Sequence, residues 1–339
     1  MKKPEILILG DGGWGTTLAI LLSKKGFKVS LWGAFAGYSK YLDKKRVNTK
    51  FLPKIKIPKD IIITHDLGGA LCSAGLVILA VPSQYLRSVL KKVKRLNYPR
   101  KAIYLSVTKG IEVGSLKRMS EVIYEELRDI KLAVLSGPTI AHEVALGIPT
   151  TAVIASSDKA IREYLQNIFI SDKFRLYTND DVIGVELGGS FKNIIAIACG
   201  ISDGLGFGTN TKAALLSRGL AEISRLGEAM GARSSTFSGI SGLGDLVTTC
   251  VSPYSRNRFV GEQIGKGRSV KQVKSQMQMP ACRQAGIAEG LPTAKSAYHL
   301  SLKYKVQMPI VREVYNVLYK NKSPLGAVKD LMGRAKREE

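Results

Sequence analysis

The sequence contains few cysteine, histidine and aromatic residues. Its four cysteines are far apart with no CxxC pair, and it has three histidines, so it predicts neither a disulfide framework nor a metal site. No apolar run reaches the roughly 18 residues that a transmembrane helix needs. The first apolar run, "ILIL", reaches Gly10 too soon for a signal peptide. We therefore expect a cytoplasmic protein without an integral membrane segment.

Acidic residues are also scarce: 27 stand against 51 lysines and arginines, which gives a formal net charge of +24. Such an excess indicates an anionic partner, which can be a nucleic acid, an acidic membrane surface or a phosphorylated small molecule. The densest basic clusters are short and carry no interleaved aromatic residues: "KKRVNTK" at 44–50, "KKVKR" at 91–95 and "GRAKREE" at 333–339. Because base stacking needs aromatic side chains, we interpret the clusters as a solvated face and expect no nucleic-acid partner.

The first half of the chain alternates short apolar runs with amphipathic stretches. The runs include "EILILG", "KVSLW", "LVILAVP", "AIYLSV", "LAVLSGP" and "TTAVIAS". Continuous apolar strands separated by helical patterns are typical of a parallel sheet covered on both faces. Beyond about residue 180 apolar residues recur every three and four positions, as in "AALLSRGLAEISRLGEAMG". The sequence thus predicts an α/β fold with an N-terminal doubly wound sheet and a C-terminal all-α domain.

The glycines of "ILILGDGGWGTTLAILLSKKG" have the spacing of a dinucleotide-binding loop. Gly10 allows a tight turn after a strand, Gly12 admits a pyrophosphate, and Gly15 lets the following helix pack on the strand. The N-terminus of that helix faces the negative charge. We therefore expect a Rossmann domain at 1–180 that binds a dinucleotide, and a helical substrate-binding and catalytic domain at 181–339.

The end of the second strand does not encode a choice of dinucleotide. An acidic residue there holds the ribose 2′-hydroxyl of NAD, whereas NADP needs a basic group. The residues at this point are Trp32, Gly33, Ala34 and Phe35, which are neither. NAD and NADP both remain open.

Three further stretches fall where strands of such a sheet end, which is where ligands bind: "AVPSQ" at 80–84, "SVTKGIE" at 106–112 and "SGPTIAHE" at 136–143. Lys109 is either a surface lysine or, between Thr108 and Gly110, a side chain that directs its ammonium at a carbonyl or phosphate oxygen of a ligand.

Two stretches of the second half carry polar residues that suggest catalysis. "GGSFKN" places Lys192 and Asn193 in an otherwise apolar helix, where a lysine is costly unless it is paired or functional. Asp245 follows glycines and is either a helix cap or the charge partner of Lys192. Ser255, Arg256 and Asn257 form a polar turn in which Arg256 and Asn257 can clamp an anion.

From about residue 4 to 335 the chain resembles the bacterial NAD(P)-dependent glycerol-3-phosphate dehydrogenases. The resemblance depends on seven blocks in the same order: "GDGGWGTTLA", "AVPS", "TKGIE", "SGPTIAHEVALGIPT", "GVELGGSFKNIIAIACGISDGLGFGTNTKAAL", "GLGDLVTTCVSPYSRNR" and "EGLPTAK". It implies reversible reduction of dihydroxyacetone phosphate to sn-glycerol 3-phosphate, which supplies glycerophospholipid synthesis, and it suggests a homodimer.

The resemblance also implies residue roles. Lys192 matches an acid/base lysine that protonates the alkoxide, Asp245 would orient it, and Lys109 would bind substrate and cofactor as a third catalytic residue. The implied substrate-binding residues are Lys109, Gly137, Thr139, Lys192, Asp245, Ser255, Arg256 and Asn257. The implied dinucleotide-binding residues are Gly10, Gly12, Gly13, Trp14, Gly15, Lys109, Ala141, Arg256, Ile287 and Glu289.

The chain departs from the family's pattern in three places. Ala34 stands where many relatives have a basic or polar residue, which argues against a strong preference for NADP. His142 replaces a common lysine, and we interpret it as a tolerated change beside the site rather than a catalytic histidine. The segment at 275–288, before Glu289, is longer than the pattern.

Two other classes of protein are consistent with parts of the sequence. A two-domain dehydrogenase for a 3-hydroxyacyl or 6-phosphogluconate type of substrate has a similar build, but its His–Glu or Lys–Glu pair is not visible in the corresponding frame. A basic nucleic-acid-binding or scaffold protein that keeps a Rossmann fold would explain the charge. It would give Lys109, Lys192, Asp245 and Arg256 no shared purpose.

Overall fold

The computed structural model describes residues 3–279, 282 and 284–335. Pro280, Ala281 and Arg283 of the unusual 275–288 segment, and the last four residues of the C-terminal basic cluster, lie outside the described residues. The chain forms two compact units. The first comprises Met1–Lys109 and Lys117–Glu186, and the second comprises Gly110–Leu116 and Leu187–Glu339.

The first unit is built on a sheet. In its described residues the strands are β1 (Glu5–Leu9), β2 (Val29–Trp32), β3 (Val47–Asn48), β4 (Leu52–Lys56), β5 (Ile62–Thr64), β6 (Ala74–Leu79), β7 (Ile103–Ser106), β8 (Lys131–Ser136), β9 (Thr150–Ala155) and β10 (Phe174–Asn179). The helices are α1 (Gly13–Lys24), α2 (Ala36–Lys45), α3 (Leu67–Leu71), α4 (Ser83–Arg95), α5 (Met119–Glu126), α6 (Ala141–Ala145) and α7 (Lys159–Phe169).

Eight of these strands form one sheet in the order β10-β9-β8-β7-β6-β1-β2-β5. All neighbours are parallel except β8 and β9, which are antiparallel, with Val134 opposite Ala155. The interior strand β1 pairs with β2 on one side and β6 on the other, so that Ile8 lies between Leu31 and Ile78. The chain therefore reverses its direction of travel across the sheet beside β1, which leaves a crevice outside the ends of β1 and β6.

Both faces of the sheet are covered, as the apolar runs predicted. Ile6 and Ile8 of β1 pack into a core with Leu18 of α1 and Leu165 of α7. The alternate β1 residues, Leu7 and Leu9, belong to a second core that includes Leu86 and Val122, from α4 and α5. The predicted α/β fold class is confirmed, with the reversed pair of strands at one edge as a departure from a fully parallel sheet.

Several strands carry no apolar run and were not predicted. The last strand, β10, lies at the sheet's edge, where Phe174 and Leu176 are buried but Arg175 and Tyr177 are exposed. Such alternation is typical of an edge strand with one solvated face, which a search for continuous apolar runs does not detect. The small β3–β4 hairpin lies in a stretch that the sequence pattern shows only as polar.

The second unit is helical, as predicted. Its described elements are α8 (Val182–Gly204, which starts in the first unit), α9 (Thr209–Ala229), α10 (Ser234–Phe237), a π-helical turn (Ile240–Gly244), α11 (Asp245–Val251), α12 (Arg256–Gly265), α13 (Val270–Gln278), α14 (Gly290–Lys303), α15 (Pro309–Tyr319) and α16 (Pro324–Met332). The short segment 110–116 also belongs here, since the Gly110 amide donates to Ser190 Oγ at 2.9 Å.

Helices α8 and α12 cross at backbone contact. A Cβ added to Gly200 of α8 would stand 2.0 Å from the carbonyl oxygen of Arg258, and one added to Gly261 of α12 would stand 2.0 Å from that of Ile197. Gly204 and Gly265 meet in the same way one turn later. Only glycine permits this approach at both helices, and it holds the start of α12 against α8.

Within the described ranges α8 is the one helix that is long and apolar enough to span a bilayer, and 89% of its apolar window is buried in the protein. A helix that is apolar all round and packed by protein on most sides is typical of a globular core. The structure thus gives no clear membrane span.

Candidate active site

The glycine loop between β1 and α1 has packing requirements that differ from residue to residue. A Cβ at Gly10 would lie 2.6 Å from the carbonyl oxygen of Ala80, and one at Gly15 would lie 1.9 Å from that of Gly10. A Cβ at Gly13 would lie 2.6 Å from the carbonyl oxygen of Phe51. A Cβ at Gly12 would meet no described atom within 4 Å. The loop is therefore closed on its inner side and open at Gly12, where a pyrophosphate would approach.

The N-terminus of α1 is prepared for an anion. Gly12 is its N-cap and has no side chain to cap the first amides, and the first turn of α1 contains no acidic residue. The first N–H groups of a helix have no partner within the helix and carry partial positive charge. Backbone amides at such an end bind phosphate without further side chains. The loop thus fits a dinucleotide pyrophosphate.

Other predicted dinucleotide residues lie beside this loop. Thr17 Oγ1 of α1 donates to the carbonyl oxygen of Ala141 at 3.0 Å, and a Cβ at Gly13 would be 3.8 Å from that of Ala141. Trp14 is half-buried and packs against the core under the sheet. The structure therefore brings Gly10, Gly12, Gly13, Trp14, Gly15 and Ala141 together.

Lys109 lies at the end of β7, next to the end of β8. Its ammonium donates to the carbonyl oxygen of Gly137 at 2.8 Å and to Thr139 Oγ1 at 3.4 Å. The preceding Thr108 is buried and donates to the carbonyl oxygens of Leu79 and Val81, which ties the β6 and β7 ends together. Lys109 is half-buried, so its cation is held at the carboxyl edge of the sheet, with Gly137 and Thr139.

The second unit buries a lysine with a carboxylate. Lys192 of α8 is 7% exposed and Asp245, the first residue of α11, is 1% exposed. The Lys192 ammonium donates to Asp245 Oδ1 and, at 2.7 Å, to Thr249 Oγ1. Thr249 in turn donates to the backbone oxygen of Asp245 at 2.7 Å. The ion pair offsets the cost of burying either charge alone, and the three contacts hold the ammonium in one orientation.

A local irregularity of the backbone precedes this pair. The π-helical turn Ile240–Gly244 leads directly into Asp245, and a Cβ at Gly188 of α8 would lie 2.7 Å from the carbonyl oxygen of Ser241 in that turn. Single π turns inside helices are frequent at functional sites. Here the turn and Gly188 bring α11 close enough to α8 for Asp245 to reach Lys192.

The polar turn at 255–257 is tied to the helix that carries Lys192. Ser255 is the N-cap of α12 and accepts from the Arg258 amide at 3.2 Å. The buried Asn257 donates through Nδ2 to Asn193 Oδ1 at 2.7 Å and accepts from the Gly290 amide at 2.9 Å. Asn257 therefore fixes α8, α12 and the start of α14 relative to one another.

Arg256 is the cation of this turn. Burial lowers the pKa of its guanidinium, and the negative charge of Glu289 opposes that shift. A Cβ at Gly286 would lie 3.2 Å from Arg256 Cζ, so glycine at 286 makes room for the guanidinium. A half-buried cation of this kind is suited to an anionic ligand.

The remaining predicted dinucleotide residues differ in their surroundings. Glu289 lies close enough to Arg256 to act on its charge, and it precedes α14. Ile287 is 42% exposed. His142 lies in α6 directly after Ala141. Their roles, like those of the other site residues, stay predictions.

Sequence reasoning missed two groups of residues that touch the site. Thr249 contacts Lys192 and is four residues after Asp245, so helical spacing would have found it once Asp245 was chosen. Phe51 and Asn48 contact the glycine loop, since Asn48 Nδ2 donates to the Asp11 carbonyl oxygen at 2.8 Å. No local pattern signals them, because they come from the small hairpin.

Comparison with known proteins gives one consistent family. The model of the NAD-dependent glycerol-3-phosphate dehydrogenase N-terminus matches residues 5–162, and the model of its C-terminus matches residues 181–329. Proteins named glycerol-3-phosphate dehydrogenase, NAD(P)+, are 48% identical in Citrifermentans bemidjiense and 45% identical in Moorella thermoacetica, each over 99% of this chain and 98% of the relative. The crystal structure of a Coxiella burnetii glycerol-3-phosphate dehydrogenase superimposes with a TM-score of 0.93 at 38% identity, over 98% of this chain and 99% of that one.

Proposed function

Because the chain belongs to the NAD-dependent glycerol-3-phosphate dehydrogenase family, we propose that it reversibly reduces dihydroxyacetone phosphate to sn-glycerol 3-phosphate with NADH or NADPH. The observation that carries the proposal is the buried Lys192 ammonium, held by Asp245 and Thr249. The reaction would take place in the cytoplasm and supply the backbone of glycerophospholipids.

The first unit would bind the dinucleotide through the glycine loop. The open side of Gly12 and the uncapped amides of α1 support this role, with Gly10, Gly13, Trp14, Gly15 and Ala141 beside them. When bound, the reduced nicotinamide supplies the hydride. The protein itself would hold the cofactor and the ketone, exclude water, and donate or accept the proton.

Lys192 would donate that proton in the reduction and accept it in the reverse reaction. As the carbonyl carbon gains a hydride, its oxygen becomes an alkoxide, and the Lys192 ammonium would donate a proton to that oxygen. The resulting neutral amine would regain a proton from solvent, and the reverse reaction would use the amine as base. The contacts to Asp245 and Thr249 support this role because they keep Nζ in a single position.

The substrate's phosphate needs fixed cationic donors. Arg256 would supply a planar, bidentate guanidinium, and Asn257 its side-chain amide, which also donates to Asn193. Ser255 would set the geometry of the turn as its N-cap. Lys109, which Gly137 and Thr139 hold at the carboxyl edge of the sheet, would supply a further cation for binding substrate and cofactor.

The test is the absorbance of the reduced nicotinamide with purified protein, dihydroxyacetone phosphate, and NADH or NADPH in parallel. Oxidation that requires this ketone is the expected result. If both cofactors bind and neither is oxidised, dihydroxyacetone phosphate is not the substrate and this part of the proposal is wrong. A salt-dependent shift on DNA that cofactor does not alter would favour a nucleic-acid-binding protein instead.

Lys192→Ala separates the chemistry from binding. We expect turnover to fall by roughly three orders of magnitude with dinucleotide affinity nearly unchanged, because the lysine acts in the transition state. Lys271→Ala, at an exposed lysine of α13, is the matched control and should behave as the unchanged enzyme. Equal loss of cofactor affinity and turnover in Lys192→Ala would contradict the role.

A further inference from the structure

The carboxyl end of β2 contains a side chain that does not come from β2. Gly33 follows the strand, and the point where its Cβ would stand lies 2.2 Å from Asp11 Oδ2 and 2.6 Å from Ser39 Oγ. The Asp11 carboxylate, which comes from the glycine loop, therefore occupies the volume that a side chain at position 33 would fill. This is the place where an acidic residue of a Rossmann domain meets the adenosine ribose.

The two polar atoms at this place are orphaned. Asp11 Oδ2 and Ser39 Oγ are both buried, and neither has a hydrogen-bond partner among the described residues. The backbone of Asp11 is meanwhile firmly held, because Asn48 Nδ2 and Thr16 Oγ1 both donate to its carbonyl oxygen. An unpaired buried carboxylate oxygen is costly, so folding alone does not account for it.

We propose that Asp11 is the residue that selects NAD over NADP in this chain. Its carboxylate accepts a hydrogen bond from the adenosine ribose hydroxyl and repels a 2′-phosphate. The absence of a side chain at Gly33 leaves space for the carboxylate, and Ser39 supplies a second polar contact. The inference rests on the proposed function, since it assumes the dinucleotide site. It assigns to the glycine loop the acidic group that Trp32–Phe35 lack.

One positive charge opposes this selection. Burial of the Asp11 carboxylate raises its pKa, although a hydrogen bond from its own backbone amide and the charge of Lys50 oppose that shift. The Lys50 ammonium lies over the Phe51 ring, 5.1 Å from its centroid, and the residue is exposed. A solvated lysine is screened and its charge is mobile, whereas the carboxylate is fixed against Gly33, so the repulsion should dominate.

The test is to measure the dissociation constants of NADH and of NADPH in the absence of any ketone, with the fluorescence of the reduced nicotinamide as the signal. For the unchanged protein we expect NADH to bind roughly 100-fold more tightly than NADPH, since a like-charge contact in an interface is strongly unfavourable. Asp11→Asn removes the repulsion and should bring the two affinities within about threefold, mainly through tighter binding of NADPH. Asp11→Ala is a second variant, in case the amide disturbs the loop.

Asp43→Asn is the matched control, because this α2 carboxylate in the same unit is 53% exposed and pairs with Arg46. It should leave the ratio of affinities unchanged. The inference is overturned if the unchanged protein binds NADPH at least as tightly as NADH, or if the Asp11 variants lose both affinities equally. If neither dinucleotide binds to the unchanged protein, the proposed function fails as well, which the other outcomes do not imply.

Discussion

Gly200 of α8 and Gly261 of α12 lie at a helix crossing where each glycine faces the other helix's backbone. The added Cβ of either would stand 2.0 Å from a carbonyl oxygen, well inside van der Waals contact. Backbone oxygens cannot swing away as a long side chain can. The crossing therefore sets how far the turn that carries Arg256 lies from the part of α8 that carries Lys192 and Asn193.

We predict that Gly261→Ala destabilises the protein. The methyl group would force α12 away from α8, and overpacking of this kind costs roughly 3 kcal/mol of unfolding free energy. Urea unfolding followed by circular dichroism measures the loss. Gly37→Ala in α2 is the control, since a Cβ there meets nothing within 4 Å. It should leave stability unchanged or raise it by up to ~1 kcal/mol through helix propensity. Equal changes in unfolding free energy for the two variants would contradict the close backbone contact at the crossing.

The hydroxyl of Thr249 should affect turnover through Lys192. Thr249→Val keeps the shape and removes the 2.7 Å hydrogen bond to the ammonium. A hydrogen bond to a charged group contributes about 1.5–3 kcal/mol, so we expect kcat to fall by roughly 10- to 100-fold. The KM for the dinucleotide should stay the same. Thr248→Val, one position earlier on α11, is the control, and a matching fall in that variant would point to helix damage instead.

Arg256 should distinguish a phosphorylated ketone from a free one. Arg256→Lys keeps a positive charge but loses the bidentate geometry, so kcat/KM for dihydroxyacetone phosphate should fall by roughly 100-fold. The rate with dihydroxyacetone, which has no phosphate, should fall much less, by only what Arg256 contributes to holding the dinucleotide. Steady-state kinetics with both ketones test this, with Arg268→Lys as a control at an exposed arginine. A proportional loss with both substrates would show that Arg256 does not grip the phosphate.

Much of the fold could be predicted because its signals are local. The apolar runs of β1, β6 and β7 and the helical spacing after residue 180 each depend on neighbours within one element. The edge strand β10 and the β3–β4 hairpin are half-exposed or polar, so their stability comes from pairing with strands that the local pattern does not show.

The candidate site divides in the same way. The glycine spacing predicts the loop because Gly10 and Gly15 must face each other within six residues. Lys192 and Asp245 are 53 residues apart, so the residues alone gave their pairing only as an alternative to a helix cap, and the family resemblance favoured the pair. Asp11 gave no signal, because its proposed role depends on the space that Gly33 leaves at the end of the neighbouring strand β2.

Stability should depend on pH through Glu222. This buried α9 side chain accepts hydrogen bonds from the amides of Ile310 and Val311 at the start of α15. Burial raises its pKa from 4.5 to about 7, although those amides and the charges of Arg225 and Arg334 oppose the shift.

A carboxyl group with a raised pKa in the folded state binds protons more tightly there than in the unfolded chain. Folding is therefore favoured by protonation, and the unfolding free energy falls as pH rises from about 4.5 to about 7, by ~3 kcal/mol for this group. The side chain of Glu222→Gln cannot titrate. The urea concentration at the midpoint of unfolding should therefore fall less between pH 5 and pH 7.5 for this variant than for the unchanged protein. Glu228→Gln, at an exposed position of α9, should leave the pH dependence intact. Parallel pH profiles for the unchanged protein and Glu222→Gln would show that the carboxylate is already ionised at pH 5, with its two amide bonds outweighing the cost of burial.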